Sequence, residues 1–137
     1  MDEITIRVET QISPTEYENK VEKAVTNMFD IASIETKQSY RSKLLLAKSS
    51  GLEALAKFRN LLSADRIRDA ARKALYGGLK GDSISFYLNK QVAFAGHVSF
   101  SEALAESPLG PIRVVIECEN PRSLIEWMVV YRNSWEK

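Results

Sequence analysis

Three successive runs between Gly81 and Cys118 alternate apolar residues with small or polar ones: residues 83–89, 94–100 and 112–118. A period of two is the pattern of a half-buried strand, and three such runs in succession commit this part of the chain to an antiparallel sheet. A one-residue slip would turn every side chain to the other face, so the alternation also assigns the faces. Ile84, Phe86, Leu88, Phe94, Val98, Phe100, Ile112, Val114, Ile116 and Cys118 fall on the apolar side. Ser83, Ser85, Tyr87, His97, Ser99, Arg113 and Glu117 fall on the polar side.

An apolar sheet face needs a cover, and the flanking sequence supplies helices. Residues 3–12 alternate as a strand. Ser13-Pro14-Thr15-Glu16 then has capping-box spacing with proline at the first helical position, predicting a helix over 14–29 with Tyr17, Val21, Ala24, Val25 and Met28 inward. Residues 31–37 and 40–48 read as strands. Leu52, Leu55, Ala56, Phe58, Arg59 and Leu62 describe a short amphipathic helix that breaks at Ser63. A second helix over 64–76 ends at Gly77-Gly78, as a left-handed glycine cap would end it. Asn120-Pro121 starts a last helix that buries Leu124, Ile125, Trp127, Met128 and Tyr131. The expected order is β-α-β-β-α-α-β-β-β-α, an α+β two-layer sandwich with helices on one face of a largely antiparallel sheet, in one domain over residues 1–137.

The bulk numbers suit this architecture. A chain of 137 residues, 45% hydrophobic and 27% charged, is of ordinary composition for a soluble domain. No apolar run approaches the roughly 18 residues of a membrane span, and Met1-Asp2-Glu3-Ile4-Thr5-Ile6 lacks the basic start and apolar core of a signal peptide. The lone Cys118 excludes an intrachain disulfide. A cytoplasmic location is expected.

Net charge is +1, but it is unevenly spread. Residues 1–36 carry three basic and eight acidic side chains, residues 37–80 eleven basic and three acidic, and residues 81–137 five basic and seven acidic. A basic middle can attract phosphate backbones from a near-neutral molecule, unless folding brings the acidic ends against it.

The residues that carry chemistry are few. His97 is the only histidine, and alternation surrounds it with Ser85, Tyr87 and Ser99, a setting for a hydrogen-bonded structural histidine more than for a triad. A metal site lacks ligands, since there is no second histidine and Glu117 and Glu119 read as a solvated edge. Gly77-Gly78-Leu79-Lys80-Gly81-Asp82 follows a helix and precedes a strand, the reverse of a phosphate-binding loop. Cys118 faces the core. No catalytic activity, metal or cofactor is expected.

The densest cationic group lies on the helix over 64–76. Arg68 and Arg72 flank one side of its apolar stripe, Arg66 and Lys73 the other, and Asp65, Asp69 and Tyr76 form the outer ridge. Asp69 can pair with Arg72 or Lys73 at helical spacing, which would make this a self-neutralised solvent face. Alternatively Lys37, Arg41, Lys43, Lys48, Lys57, Arg59 and Lys80 join the four to make a phosphate-contacting surface. Asn89-Lys90-Gln91 opens a hairpin and places Lys90 at an exposed tip. Residues 107–112 form a loop stiffened by Pro108 and Pro111.

The segments Ser85-Phe86-Tyr87-Leu88-Asn89-Lys90-Gln91, Ala95-Gly96-His97-Val98, Pro108-Leu109-Gly110-Pro111-Ile112 and Ile125-Glu126-Trp127 together resemble a small archaeal family of uncharacterised proteins, described as predicted RNA-binding or exosome-associated. The likeness extends over nearly the whole chain. It implies a fold similar to that of large-subunit ribosomal protein five, an α+β RNA binder, and it carries no catalytic residues over. The order of helix, three strands and helix in residues 64–134 is also similar to a double-stranded-RNA-binding domain. Here, however, the last helix lacks the usual lysine cluster and the glycine-proline-histidine loop is missing.

The combined expectation is a non-catalytic RNA-binding or RNA-processing accessory protein. Its partners would be structured RNA and proteins of an RNA-processing complex or of the ribosome, with no membrane. Arg66, Arg68, Arg72, Lys73 and Lys90 would contact phosphates, and Tyr87 and His97 bases or sugars. The alternative is a protein-interaction module or homodimer without nucleic acid.

Overall fold

In the computed structural model, which describes residues 3–39, 42–101 and 110–130, strands from the whole length of the chain form one antiparallel sheet. Its strands are β1 (Thr5–Ile12), β2 (Ser33–Ser39), β3 (Ser42–Ser50), β4 (Leu79–Lys80), β5 (Ser83–Leu88), β6 (Phe100–Ser101) and β7 (Ile112–Glu117). They lie in the order β2-β3-β1-β7-β5-β4, with the short β6 also paired to β5. The first strand is therefore central. Val8 sits between Ala47 and Val114, and Ile6 between Ser49 and Ile116. On the far side Ile84, Phe86 and Leu88 meet Ile116, Val114 and Ile112. Register thus aligns one apolar face across four strands.

Five helices, α1 (Glu18–Met28), α2 (Glu53–Ala64), α3 (Arg68–Gly77), α4 (Lys90–Phe94) and α5 (Pro121–Val129), each contribute buried apolar residues to the same core cluster as that face. The α+β layering is as expected. Phe58 of α2 is its aromatic hub, with ring centroids 5.0 Å from Phe29, 5.6 Å from Phe86 and 6.4 Å from Phe100. Such ring pairs contribute about 0.5–1.5 kcal/mol each beyond the area they bury. Asn120 caps α5 by accepting from the Ser123 amide, with Pro121 at the first position, as the start signal predicts. Among the described residues no helix is long and apolar enough to cross a membrane.

Several local expectations are corrected. The run over 94–100 is not a strand. Asn89 accepts from the Val92 amide at 2.9 Å and caps α4 instead, a turn through Gly96 follows, and only Phe100 and Ser101 pair with β5. The likeness to a double-stranded-RNA-binding domain loses its middle strand with it. Phe94 and Tyr17, both expected inward, are 39% and 68% exposed. The Ser13 region makes a separate turn before α1, in which Glu16 accepts from the Ser13 amide while Ser13 Oγ bonds Thr15 Oγ1. The break between α2 and α3 comes at residues 65–67, three positions later than predicted.

Gly78 has a different reason to be glycine. Its φ of −99° is not left-handed, but a Cβ there would overlap Ser85 O. The Ser85 amide donates to Gly78 O at 3.0 Å, and that bond holds β5 against the end of α3. Tyr40, Arg41, residues 107–109 of the proline loop and Tyr131 lie outside the described residues.

Candidate nucleic-acid interface

The junction between α2 and α3 is built by a helix ending of the Schellman type. The Ile67 amide donates to Leu62 O and the Arg66 amide to Ser63 O, with Leu62 and Ile67 both packed on the core. This geometry puts Arg66 in the left-handed region at φ 56°, a position that usually takes glycine because a side chain there costs about 1–2 kcal/mol.

The residue before it is held firmly. Asp65 accepts from the Val98 amide at 2.8 Å through Oδ2, and Oδ1 lies 3.0 Å from His97 Nδ1. Burial opposes ionisation of Asp65, but the Val98 amide and His97 outweigh it and hold the carboxyl below its ordinary value. The imidazole itself stays 65% exposed. Arg66 and Arg68 then line a groove of about 880 Å³ with Asn60, Ser63, Ile67 and Asp69. Sequence position gives no hint that His97 belongs beside Arg66 and Arg68, yet the fold brings the three to one region.

The other expected contacts divide. Lys73 is exposed on α3. Arg72 is 3.4 Å from Glu126 of α5, whose second oxygen accepts from Tyr76 Oη at 2.6 Å. Tyr87 lies opposite Arg113 on the sheet face away from the helices, so it shares no surface with Arg66.

Lys90 is corrected most clearly. It is only 5% exposed, and Nζ donates to Gln11 O at 2.7 Å and to both Glu16 oxygens at 3.1 and 3.2 Å. Burial pushes its ammonium below the ordinary value, with Glu16 opposing. The expected hairpin tip is the first turn of α4, which packs on α1, so Lys90 has no path to a phosphate.

The basic middle of the chain is therefore only partly a surface charge. Lys43 pairs with Glu18 and Lys57 with Asp30, while Arg59 donates to Trp127 O at 2.7 Å and stacks on the Trp127 ring. Lys37 and Lys48 lie on the opposite sheet face with Arg7, Glu9, Glu35 and Arg113. On the helix side lie Arg66, Arg68 and Lys73, whereas Lys80, opposite Ser83 in the register, falls on the sheet face of Tyr87. The role of Asp65 is not legible in the sequence because the usual marker of its helix ending, a glycine after it, is replaced by Arg66. The five-residue spacing of Leu62 and Ile67 is the signal that was available. Among the described residues no group of three or more His, Cys, Asp or Glu side chains could hold a metal.

Comparison with known proteins agrees with the fold. A family model described as RNA binding matches residues 5–118. A UPF0201 protein of Sulfurisphaera tokodaii is 46% identical over 123 residues, 90% of this chain and 85% of that one, and a UPF0201 protein of Sulfolobus acidocaldarius is 43% identical over 121 residues, 88% and 83% of the two chains. The crystal structure of a UPF0201 protein from Methanococcus jannaschii superposes with a TM-score of 0.82 at 28% identity, covering 92% of this chain and 99% of that one. A DUF54 protein from Methanothermobacter thermautotrophicus shares the fold at a TM-score of 0.60 and 17% identity, over 93% and 99% of the two chains. By the extent of these matches in sequence and structure, the chain belongs to the UPF0201 family, whose matched members are archaeal.

Proposed function

We propose that this protein is a non-catalytic RNA-binding accessory protein of the cytoplasm, and that its phosphate-contacting surface is the groove at the α2–α3 junction. The observation that carries the reading is Arg66. It occupies a left-handed position where glycine would be free of strain, and the side chain gained by that strain lines the groove beside Arg68. The Asp65 clamp to His97 and Val98 fixes the turn that presents it. Lys73 extends the cationic surface along α3, and the family model's description supports RNA as the ligand. Partners in an RNA-processing complex or on the ribosome would be reached through that RNA.

Fluorescence anisotropy with a structured hairpin RNA tests this. Affinity is expected to fall steeply from about 50 to about 200 mM salt, since each phosphate contact releases counterions. The double variant R66A/R68A is expected to weaken binding roughly tenfold or more and to reduce the salt slope by about one to two. Tyr87→Ala, on the other sheet face, serves as the control and leaves affinity unchanged. Affinity that is flat with salt, or equal in R66A/R68A, overturns the assignment.

A second reading, self-association without nucleic acid, is favoured by the open sheet face, where Leu44, Leu46, Tyr87 and Val115 are only half-buried beside charged neighbours. Sedimentation as a monomer at high protein concentration dismisses it.

A further inference from the structure

The two large apolar side chains most open to solvent among the described residues, Tyr17 and Phe94, line the same groove. It has a volume of about 330 Å³ and follows the seam between α1 and α4, with Val21 and Ala24 as its apolar floor. The two helices are pinned together at both ends. Lys90 joins Glu16 at their starts, and Asn27 donates to Ala93 O at 3.0 Å and Phe94 O at 3.1 Å at their ends. The groove is therefore a formed feature between two pinned helices, with both aromatic residues on its lining.

We infer that this groove takes an unpaired base of the bound RNA, stacked on Tyr17 or Phe94. The inference rests on the RNA-binding reading and narrows it to RNA with single-stranded loops, bulges or ends. Exposed aromatic rings are the usual platform for unstacked bases, because every base offers a π face. The groove has room for a small planar ligand. A partner helix, by contrast, would need apolar contacts over more than roughly 10 Å of axis.

Charge agrees with a nucleotide. Lys90 and Glu16 neutralise each other inside the wall, which leaves Lys20 as the cation at the rim, its ammonium 5.2 Å from the Tyr17 ring centroid. An ammonium over a ring at the mouth of the groove suits a base with its phosphate attached. The position is also right. α4 forms one wall of the groove, and the turn that follows it carries His97 to Asp65 beside Arg66. Both sites thus border the single segment 90–98, and an RNA strand seated on Tyr17 or Phe94 can cross that segment to reach Arg66 and Arg68.

The test compares a hairpin RNA carrying 2-aminopurine in its loop with a fully paired duplex, using wild type, Y17A, F94A and R66A/R68A, each checked for native folding by circular dichroism. The hairpin is expected to bind more tightly than the duplex, with a change in 2-aminopurine fluorescence on binding. Y17A or F94A is expected to lower hairpin affinity roughly five- to hundredfold, the range of one stacking contact, without changing the salt slope. R66A/R68A is expected to lower affinity for both RNAs and reduce the slope. Salt-dependent binding that is equal for both RNAs and untouched by Y17A and F94A overturns the stacking site and leaves the RNA reading standing. Failure of both RNAs to bind overturns both. A change in sedimentation of Y17A without RNA shows the groove to be a self-contact, which also overturns the site.

Discussion

Arg66 and Lys90 show opposite uses of a cation. At Arg66 the backbone carries the strain and the side chain stays at the surface, lining the groove. Replacing it by glycine removes that strain, so R66G is expected to gain about 1 kcal/mol, read as a melting temperature a few degrees higher. The same variant is expected to lose RNA affinity in the anisotropy assay, separating a residue kept for binding from one kept for stability. A melting temperature at or below that of wild type counts against this account. At Lys90 the cost is desolvation. Its ammonium donates to the Glu16 carboxylate and to the Gln11 carbonyl, so neutralising Glu16 would leave a buried ammonium without that counter-charge, at about 3–5 kcal/mol.

Between elements, two contacts hold the candidate site in register. One is the Asp65 carboxylate, which joins the end of α2 to the turn after α4. Its folded value is lowered from 3.8, so the ionised form is favoured by folding. The stability it contributes is complete above the unfolded value and is lost as pH falls through the folded one. Urea unfolding at a series of pH values is expected to show wild type losing stability below about pH 4 more steeply than D65N. At neutral pH, D65N is expected to be weaker by about 1–3 kcal/mol. Parallel profiles for the two proteins refute the linkage. The second contact is Gly78 against β5. Because a Cβ would overlap Ser85 O, and retreat of the strand would break the 3.0 Å bond to Gly78 O, G78A is expected to cost more than about 3 kcal/mol in the same assay. A near-neutral G78A would show that β5 can slide away from α3.

Across the whole molecule, the sheet separates two surfaces that the linear charge pattern merges. Lys37 and Lys48 end on one side, Arg66, Arg68 and Lys73 on the other, and several cations between them are bound by Glu18, Asp30, Glu126 and the carbonyl of Trp127. Folding pairs a share of the basic segment, and it brings Arg66 and Arg68 to one groove at the α2–α3 junction. Tyr87 and His97, placed together by alternation, part company because the run containing His97 is not a strand.

Local periodicity determined the layers. Alternation in β1, β5 and β7 and the helical stripes of α2 and α5 specify their own faces, because each is set by the residues of one element and its fixed repeat. The Asn120-Pro121 start was legible for the same reason. Tertiary structure alone decided the rest. Residues 94–100 alternate as well as any strand, yet they lose to a helix cap at Asn89 and to Lys90, whose partner Glu16 is 74 positions away. The candidate groove depends on His97 and Asp65, 32 positions apart, and the aromatic groove on Tyr17 and Phe94 from two helices. Such pairings follow from how elements pack, and no repeat within either element encodes them.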